Sequence, residues 1–172
     1  MNIKLLFIVS SIFFSCCTFA QQSIFDVARS GTVEDVKKLI AINTDTINSI
    51  EKSGYSPLVL ACYNANIDVA KFLAKNVVDI NGRSEYGTPL MATVFKNQDD
   101  LVKALLDLNA NPNIADSNGT TPLHYAVIMR NIKIIKLLLN AKASQTLKDN
   151  NGKTAVDYAL MTQNKEIIEL FN

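Results

Sequence analysis

A short phrase that recurs at a nearly constant interval is the strongest constraint in this sequence. Its copies are Ser56-Pro57-Leu58, Thr88-Pro89-Leu90, Thr121-Pro122-Leu123 and an altered Thr154-Ala155-Val156. Successive copies are 32, 33 and 33 residues apart. Two apolar series keep the same steps, namely Leu73, Leu105, Leu138 and Phe171, and Ala70, Val102, Ile135 and Ile168. Because independent series share one period, the sequence predicts a stack of repeated units.

Each unit is predicted to contain two helices. Proline suits the first turn of a helix, where no backbone N–H is needed, and the preceding serine or threonine can cap that helix. First helices are therefore expected to begin near Pro57, Pro89, Pro122 and Ala155. After a polar break, an apolar pattern at helical spacing predicts the second helix, most clearly over residues 132–139. Glycines two residues before the phrase predict tight reversals between units, at Gly54, Gly119 and Gly152.

This arrangement, with the run Gly-Thr-Thr-Pro-Leu-His-Tyr-Ala over residues 119–126, resembles the ankyrin repeat. The resemblance covers residues 23–172. It implies an all-α solenoid of about five helix-turn-helix units joined by short β-hairpin loops. The helices would lie on one side of an L-shaped stack and the hairpin tips on the other. It also implies that His124 braces neighbouring hairpins by hydrogen bonding, with Asp157 in the matching place of the last unit.

The repeat domain is expected to span residues 21–172 and to divide into units at about 23–50, 51–83, 84–115, 116–148 and 149–172. The hairpin around residues 83–86 is one residue short, so its tip is expected to be displaced. The first unit lacks the phrase and carries charged residues such as Asp26 and Arg29, and the last unit stops at Asn172 without a hairpin. These two units are interpreted as caps, since an end unit covers the core on one side and faces water on the other.

Residues 1–20 are unlike the rest of the chain and are interpreted as a signal peptide. A single positive charge at Lys4 precedes an apolar run and a small-residue stretch that ends at Ala20. The apolar run is roughly half of the ~20 residues that a transmembrane helix needs, so no membrane span is predicted. We expect export, to the periplasm of a Gram-negative bacterium or to the exterior. A lipid anchor at Cys16 is the alternative.

The composition argues against several classes of partner and chemistry. The chain has 17 basic and 16 acidic residues, and loss of the leader with Lys4 leaves equal numbers. Nucleic acids and anionic membranes demand clustered positive charge, so neither is expected as a partner. No phosphate-binding loop, H-E-x-x-H motif or paired-cysteine motif is present, so no cofactor, metal or catalytic site is predicted. Cys62, alone after cleavage, is interpreted as a small buried apolar residue.

The period locates a candidate surface for a partner protein. Six residues past the start of each first helix stand Tyr63, Phe95, Ile128 and Met161. The resemblance implies that this place points into a concave groove, which predicts an exposed apolar row of the kind that marks binding surfaces. Polar or flexible neighbours of the row are Asn64, Lys96 and Met129. The candidate hairpin-tip contacts are Tyr55, Arg83, Glu85, Tyr86, Asp116, Thr120, Lys148 and Lys153.

The sequence therefore predicts a non-catalytic module that docks a partner protein in the exported compartment, as a stabiliser or an inhibitor. Two alternatives remain open at this level. One is a self-associating structural component of the cell envelope. The other is an enzyme with an unfamiliar site at Cys62, or at His124 and Asp157. The identity of the partner is not encoded in any motif.

Overall fold

The computed structural model describes residues 22–84 and 87–172 and confirms an all-α repeat fold. The predicted signal peptide and two candidate tip residues, Glu85 and Tyr86, lie outside the described residues. The helices are α1 Ile24–Ser30, α2 Val33–Ile42, a 3-10 helix Thr44–Asn48, α3 Pro57–Tyr63, α4 Ile67–Asn76, α5 Pro89–Phe95, α6 Asp99–Asp107, α7 Pro122–Ile128, α8 Ile132–Asn140, α9 Ala155–Thr162 and α10 Lys165–Glu169. The ten α-helices of the described residues form five consecutive pairs.

The first helices begin where the recurring phrase predicts. Ser56, Thr88 and Thr154 accept the backbone N–H three residues later, at 3.2 to 3.3 Å. Proline follows as the first residue of α3, α5 and α7. The capping oxygen satisfies an N–H that the helix itself leaves free. The acidic pairs that begin at Glu34 and Asp99 lie in the first turns of α2 and α6, as expected for groups that favour a helix N-terminus.

The core lies between a layer of first helices and a layer of second helices. Residues one position past the helix start, Leu58, Leu90 and Leu123, are at most 1% exposed. Residues of the second-helix series, Leu73, Leu105 and Leu138, are fully buried. Each first helix packs on the next first helix, and the second helices α2, α4, α6 and α8 pack on one another in the same order. One continuous apolar core therefore runs through the stack.

The hairpins are tight turns, and the described part of the chain contains only isolated β-bridges rather than strands. In three of the hairpins, the backbone N–H of the first residue donates to the backbone oxygen of the residue four positions later. The pairs are Glu51 with Tyr55, Asp116 with Thr120, and Asp149 with Lys153. In the fourth hairpin, the backbone N–H of Ser84 donates to the oxygen of Gly87, and the N–H of Gly87 donates to the oxygen of Ser84. This hairpin is one residue shorter, and it accounts for the single 32-residue interval.

Asparagine side chains join consecutive units in a series that we name the asparagine ladder. Asn48 Oδ1 accepts the N–H of Val78 at 2.9 Å, and Asn81 Oδ1 accepts that of Asn111 at 2.8 Å. Asn113 Oδ1 accepts that of Ser144 at 2.6 Å. Each bond spans about one repeat, so the ladder fixes the register of one unit on the next.

Across residues 22–84 and 87–172, no helix has both the length and the apolar character that crossing a bilayer requires.

Candidate functional site

A groove of about 720 Å³ lies along the side of the stack where the first helices meet the hairpins. Helices α3, α5 and α7 supply one wall, and hairpin residues near positions 55, 84 and 117 supply the other. Four aromatic rings line the groove, those of Tyr55, Tyr63, Phe95 and Tyr125. One end carries Arg29, whose guanidinium donates to both carboxylate oxygens of Glu51, at 2.7 and 2.8 Å. The groove is therefore aromatic along its length and polar at that end.

The four side chains of the predicted apolar row are all exposed to solvent. Their exposed fractions are 49% for Tyr63, 44% for Phe95, 47% for Ile128 and 61% for Met161. At 3.6 residues per turn, the sixth position after the helix start lies roughly opposite the first and fourth, which face the core. Tyr63 and Phe95 line the groove, and Ile128 and Met161 continue the row beyond it.

The aromatic side chains of the groove contact one another in an ordered cluster. The rings of Tyr63 and Phe95 are nearly parallel, with centroids 6.4 Å apart and planes 8° from parallel. Phe95 meets Tyr125 edge to face at 6.4 Å. Lys96 Nζ lies 4.6 Å from the centroid of the Tyr63 ring, within reach of a cation–π interaction. We call these four residues, Tyr63, Phe95, Lys96 and Tyr125, the aromatic cluster.

Tyr125 was not among the residues predicted for the binding surface. It lies three residues before Ile128, almost one helical turn, so it projects from nearly the same side of its helix. That spacing is the signal that could have identified it. Its hydroxyl donates to Asp116 Oδ2 at 2.7 Å. Burial and this hydrogen bond raise the pKa of Tyr125 to about 12, so the phenol stays protonated and remains a donor.

Asp116 differs from its prediction as an exposed tip contact. It is only 8% exposed. Its Oδ1 accepts the backbone N–H groups of Asn118 and Thr120, both at 2.9 Å, while Oδ2 accepts from Tyr125. Because both oxygens of Asp116 accept hydrogen bonds, this carboxylate holds the hairpin in its turn conformation. Asp116 thus joins the tip to the helix that carries Tyr125.

The last hairpin repeats this arrangement. Asp149 Oδ1 accepts from the backbone of Asn151 and Lys153 at 2.9 Å, and Oδ2 accepts from the hydroxyl of Tyr158 at 2.6 Å. The Tyr158 hydrogen bond, followed by the backbone N–H of Lys153, lowers the pKa of Asp149 to about 2. The same bond raises the pKa of Tyr158. The hairpin–helix link is therefore a repeated feature of the scaffold.

The remaining predicted contacts divide by exposure. The exposed ones are Asn64, Lys96, Met129, Arg83 and Lys148, and the half-buried ones are Tyr55, Thr120 and Lys153. Two of the exposed residues also serve the scaffold. Arg83 donates to the backbone oxygen of Ala115 in the next unit at 2.6 Å, and Asn64 Nδ2 donates to Leu60 O at 2.8 Å.

The groups with reactive potential are engaged in structural contacts. Cys62 is fully buried, and burial raises the pKa of its thiol, which disfavours the reactive thiolate. His124 is also fully buried, and its two ring nitrogens contact Thr121 and Lys153. In the part of the chain that the structure describes, no three histidine, cysteine, aspartate or glutamate residues group to hold a metal ion.

Comparison with known proteins gives the same architecture. A family model described as Ankyrin repeats (3 copies) matches residues 24–116 and residues 92–171. The chain is also similar to protein phosphatase 1 regulatory subunit 27 of Mus musculus and of Homo sapiens, at 31% identity over 87 residues in each case. That similarity covers 50% of this chain and 56% of each relative, so the chain spans about half the length of these curated relatives. Since the two family matches cover nearly all of the described residues, the chain belongs to the ankyrin-repeat family.

Proposed function

We propose that this chain is a non-catalytic module that binds a partner protein in the groove, with the aromatic cluster as the main contact. The observation that carries the proposal is the exposure of Tyr63 and Phe95, at 49% and 44%, in a chain whose core positions are filled by other residues. Large aromatic side chains left in water at the centre of a concave surface are typical of binding hot spots. Ankyrin repeats as a family support a role in protein–protein interaction.

The aromatic cluster is held in place before a partner arrives. Phe95 contacts the rings on both sides of it, and Tyr125 is tied to its hairpin through Asp116. Side chains that are already ordered lose little conformational entropy on binding, so more of the contact energy appears as affinity. This favours a partner with a complementary, fairly rigid apolar surface.

The exposed charges at the rim indicate the chemistry of that surface. Lys52, Arg83 and Lys148 are exposed along the hairpin tips, and Lys96 adds a positive charge within the aromatic cluster. Complementary charge at the rim of an interface contributes to specificity and to the rate of association. We therefore propose a partner whose apolar contact patch is bordered by acidic residues.

The role proposed for the complex is control of another protein, by stabilising it or by inhibiting it. The name of the mouse and human relatives describes a regulatory subunit, and this supports a regulatory rather than a catalytic role. Cys62 is fully buried, and His124 is fully buried and contacts the backbone of Lys153. Both observations support a regulatory role over an enzyme centred on either residue. We place the complex in the exported compartment because residues 1–20 have the pattern of a signal peptide.

Affinity capture followed by quantitative binding tests the proposal. The tagged chain is used to recover partners from an envelope extract of its own source, and the recovered protein is then titrated against variants. Tyr63→Ser combined with Phe95→Ser is expected to weaken binding at least a hundredfold, since two hot-spot side chains contribute about 2 kcal/mol or more each. Val78→Ser is the matched control, because Val78 is apolar and 88% exposed but lies outside the groove. Equal affinity of the double variant and the wild type would refute the surface assignment.

A further inference from the structure

The apolar row changes its chemistry along the stack. Tyr63 and Phe95 are aromatic and line the groove, whereas Ile128 and Met161 lie beyond it. Ile128 and Met161 occupy equivalent positions of α7 and α9, and these two helices pack on each other. Met129 follows Ile128 and is 36% exposed, and Met161 is 61% exposed. We call Ile128, Met129 and Met161 the aliphatic end of the row.

The exposure of Met161 follows from its place in the repeat. Its equivalents Tyr63, Phe95 and Ile128 are 49%, 44% and 47% exposed, although a further helix pair follows each of them in the stack. The fold therefore leaves this position of every first helix in water, whether or not another unit packs beside it. Met161 is accessible for the same reason as the rest of the row.

A third methionine, Met91, provides a contrast within the same fold. It lies on α5 and is only 2% exposed. Its sulfur packs so closely on Gly87 that this glycine has no room for a Cβ atom. Among residues 22–84 and 87–172, the methionines thus divide into one enclosed side chain and two accessible ones.

A thioether sulfur is oxidised where an oxidant can reach it. Hydrogen peroxide transfers one oxygen atom to the sulfur: the O–O bond breaks, an S=O bond forms, and the peroxide leaves as water. The sulfur loses two electrons and the peroxide gains them. The product, methionine sulfoxide, is polar where the thioether was apolar. Oxidation therefore selects exposed methionines and changes the character of the surface around them.

We propose that Met129 and Met161 form a peroxide-sensitive modification site, whose conversion to sulfoxide makes the aliphatic end of the row polar. The sulfoxide oxygen accepts hydrogen bonds from water, and covering it with an apolar surface removes them at a cost in free energy. An apolar partner then binds the oxidised row less tightly. This effect on a partner rests on the proposed function, whereas the modification itself does not. Reduction by two thiols, which yields a disulfide and water, restores each thioether.

Peroxide treatment followed by peptide mass spectrometry tests the site. The chain is incubated with hydrogen peroxide, and the addition of one oxygen atom is followed at each methionine. Met129 and Met161 are expected to react at least about tenfold faster than Met91, which reacts only when the fold opens. In urea the three rates are expected to converge, because the difference in burial is lost. Equal rates in the folded protein would overturn the inference.

Hydrophobic interaction chromatography tests the change in the surface. The oxidised wild type is expected to elute earlier than the untreated protein. Met129→Leu combined with Met161→Leu keeps the volume and the apolar character but removes both sulfurs, so its elution should not change after peroxide. Met91→Leu is the matched control and should shift like the wild type. An equal shift in the double leucine variant, or no shift in the wild type, would contradict the proposal, with circular dichroism confirming that each protein stays folded.

Titration of the partner recovered with the tagged chain separates this inference from the proposed function. Oxidation is expected to weaken binding to the wild type about tenfold and to leave the double leucine variant unaffected. Unchanged affinity of the oxidised wild type would reject the effect on the partner. If Tyr63→Ser combined with Phe95→Ser leaves binding unchanged, the proposed function fails, whereas the oxidation rates and the elution still decide the methionine site.

Discussion

The imidazole Nε2 of His124 lies 3.1 Å from the backbone oxygen of Lys153, a residue of the following hairpin. Nδ1 accepts the backbone N–H of Thr121 at 3.1 Å. An acceptor nitrogen carries no proton, so the proton resides on Nε2, which donates to Lys153. One fully buried ring therefore caps the start of α7 and ties it to the next unit. The brace that the family resemblance implied for His124 is confirmed.

Removal of this brace should destabilise the protein. We expect His124→Ala to lower the free energy of unfolding by about 2 to 3 kcal/mol, because the buried N–H of Thr121 and the part-buried oxygen of Lys153 lose their partner. His124→Asp should lose less, since Asp157 shows that aspartate can cap a first helix, with Oδ2 accepting from Thr154 N at 2.8 Å. Urea unfolding followed by circular dichroism measures both changes. Equal losses in the two variants would show that the cap contributes little.

Asp149 should make stability depend on pH. Its pKa is lowered to about 2 in the folded protein, chiefly by the hydrogen bond from Tyr158, against about 3.9 for an unfolded aspartate. A lowered folded pKa stabilises the protein above the unfolded pKa, and this contribution is lost as pH falls from about 4 towards 2. We expect Asp149→Asn to lower the urea midpoint at neutral pH and the difference to narrow over that acid range. Tyr158→Phe should raise the pKa of Asp149, as measured by NMR titration.

Gln98 offers a site at which the protein can be stabilised. Its Oε1 is buried without a hydrogen-bond partner among the described residues. Asn131 and Asn164 occupy the equivalent positions in the two following units, and their Oδ1 atoms cap α8 and α10 by accepting from Ile134 and Ile167. Gln98→Asn should cap α6 through Leu101 N and add about 0.5 to 1 kcal/mol. Asn131→Gln is the reciprocal control and should lower the free energy of unfolding by a similar amount. If Gln98→Asn also lowered it, asparagine would not be the better cap at this position.

Cys62 should be unreactive in the folded protein. Its side chain is fully buried, and burial raises the pKa of its thiol. We expect a maleimide to label Cys62 only at the rate at which the protein opens, and labelling to become fast in urea. Peptide mass spectrometry reports on Cys62 separately from Cys16 and Cys17. Rapid labelling of the native protein would contradict the buried, structural interpretation.

Export remains a proposal that a direct measurement can decide. Cleavage after Ala20 predicts a mature chain that begins at Gln21, and intact-mass analysis of the protein from its own source checks this. Lipid modification at Cys16 would instead give a chain that begins at Cys16 with added acyl mass. Retention of Met1 to Ala20 in the accumulated protein would reject both forms of processing.

The period of the sequence, with the ankyrin resemblance, was sufficient to predict where the first helices begin and that the apolar row is exposed. The Thr-Pro step defines the start of each first helix, because proline at the first turn and a capping hydroxyl are local requirements. Once that start is known, helical geometry places Tyr63 and Phe95 opposite the core. The period located the row, and its exposure was what the ankyrin resemblance implied.

The parts that were not predicted depend on which polar groups meet after folding, either a loop and a helix of one unit or groups of two consecutive units. Asp116 was expected in water at a hairpin tip, but the hydroxyl of Tyr125 reaches it from a helix nine residues later in the chain. The asparagine ladder likewise joins side chains to backbone groups about one repeat away. A periodic pattern shows that a position recurs, but it does not show which atoms a polar side chain meets after stacking. For polar residues in loops, the predictions were accordingly the least reliable.

The asparagine ladder also has a mechanical consequence. Each of its bonds connects one unit only to the next, and the apolar contacts between helices have the same nearest-neighbour reach. Under tension applied at its two termini, such a stack should give way stepwise from the ends inwards, and the middle units should be the last to lose their structure. A force–extension trace would then show a series of small force peaks of similar height instead of one large unfolding peak.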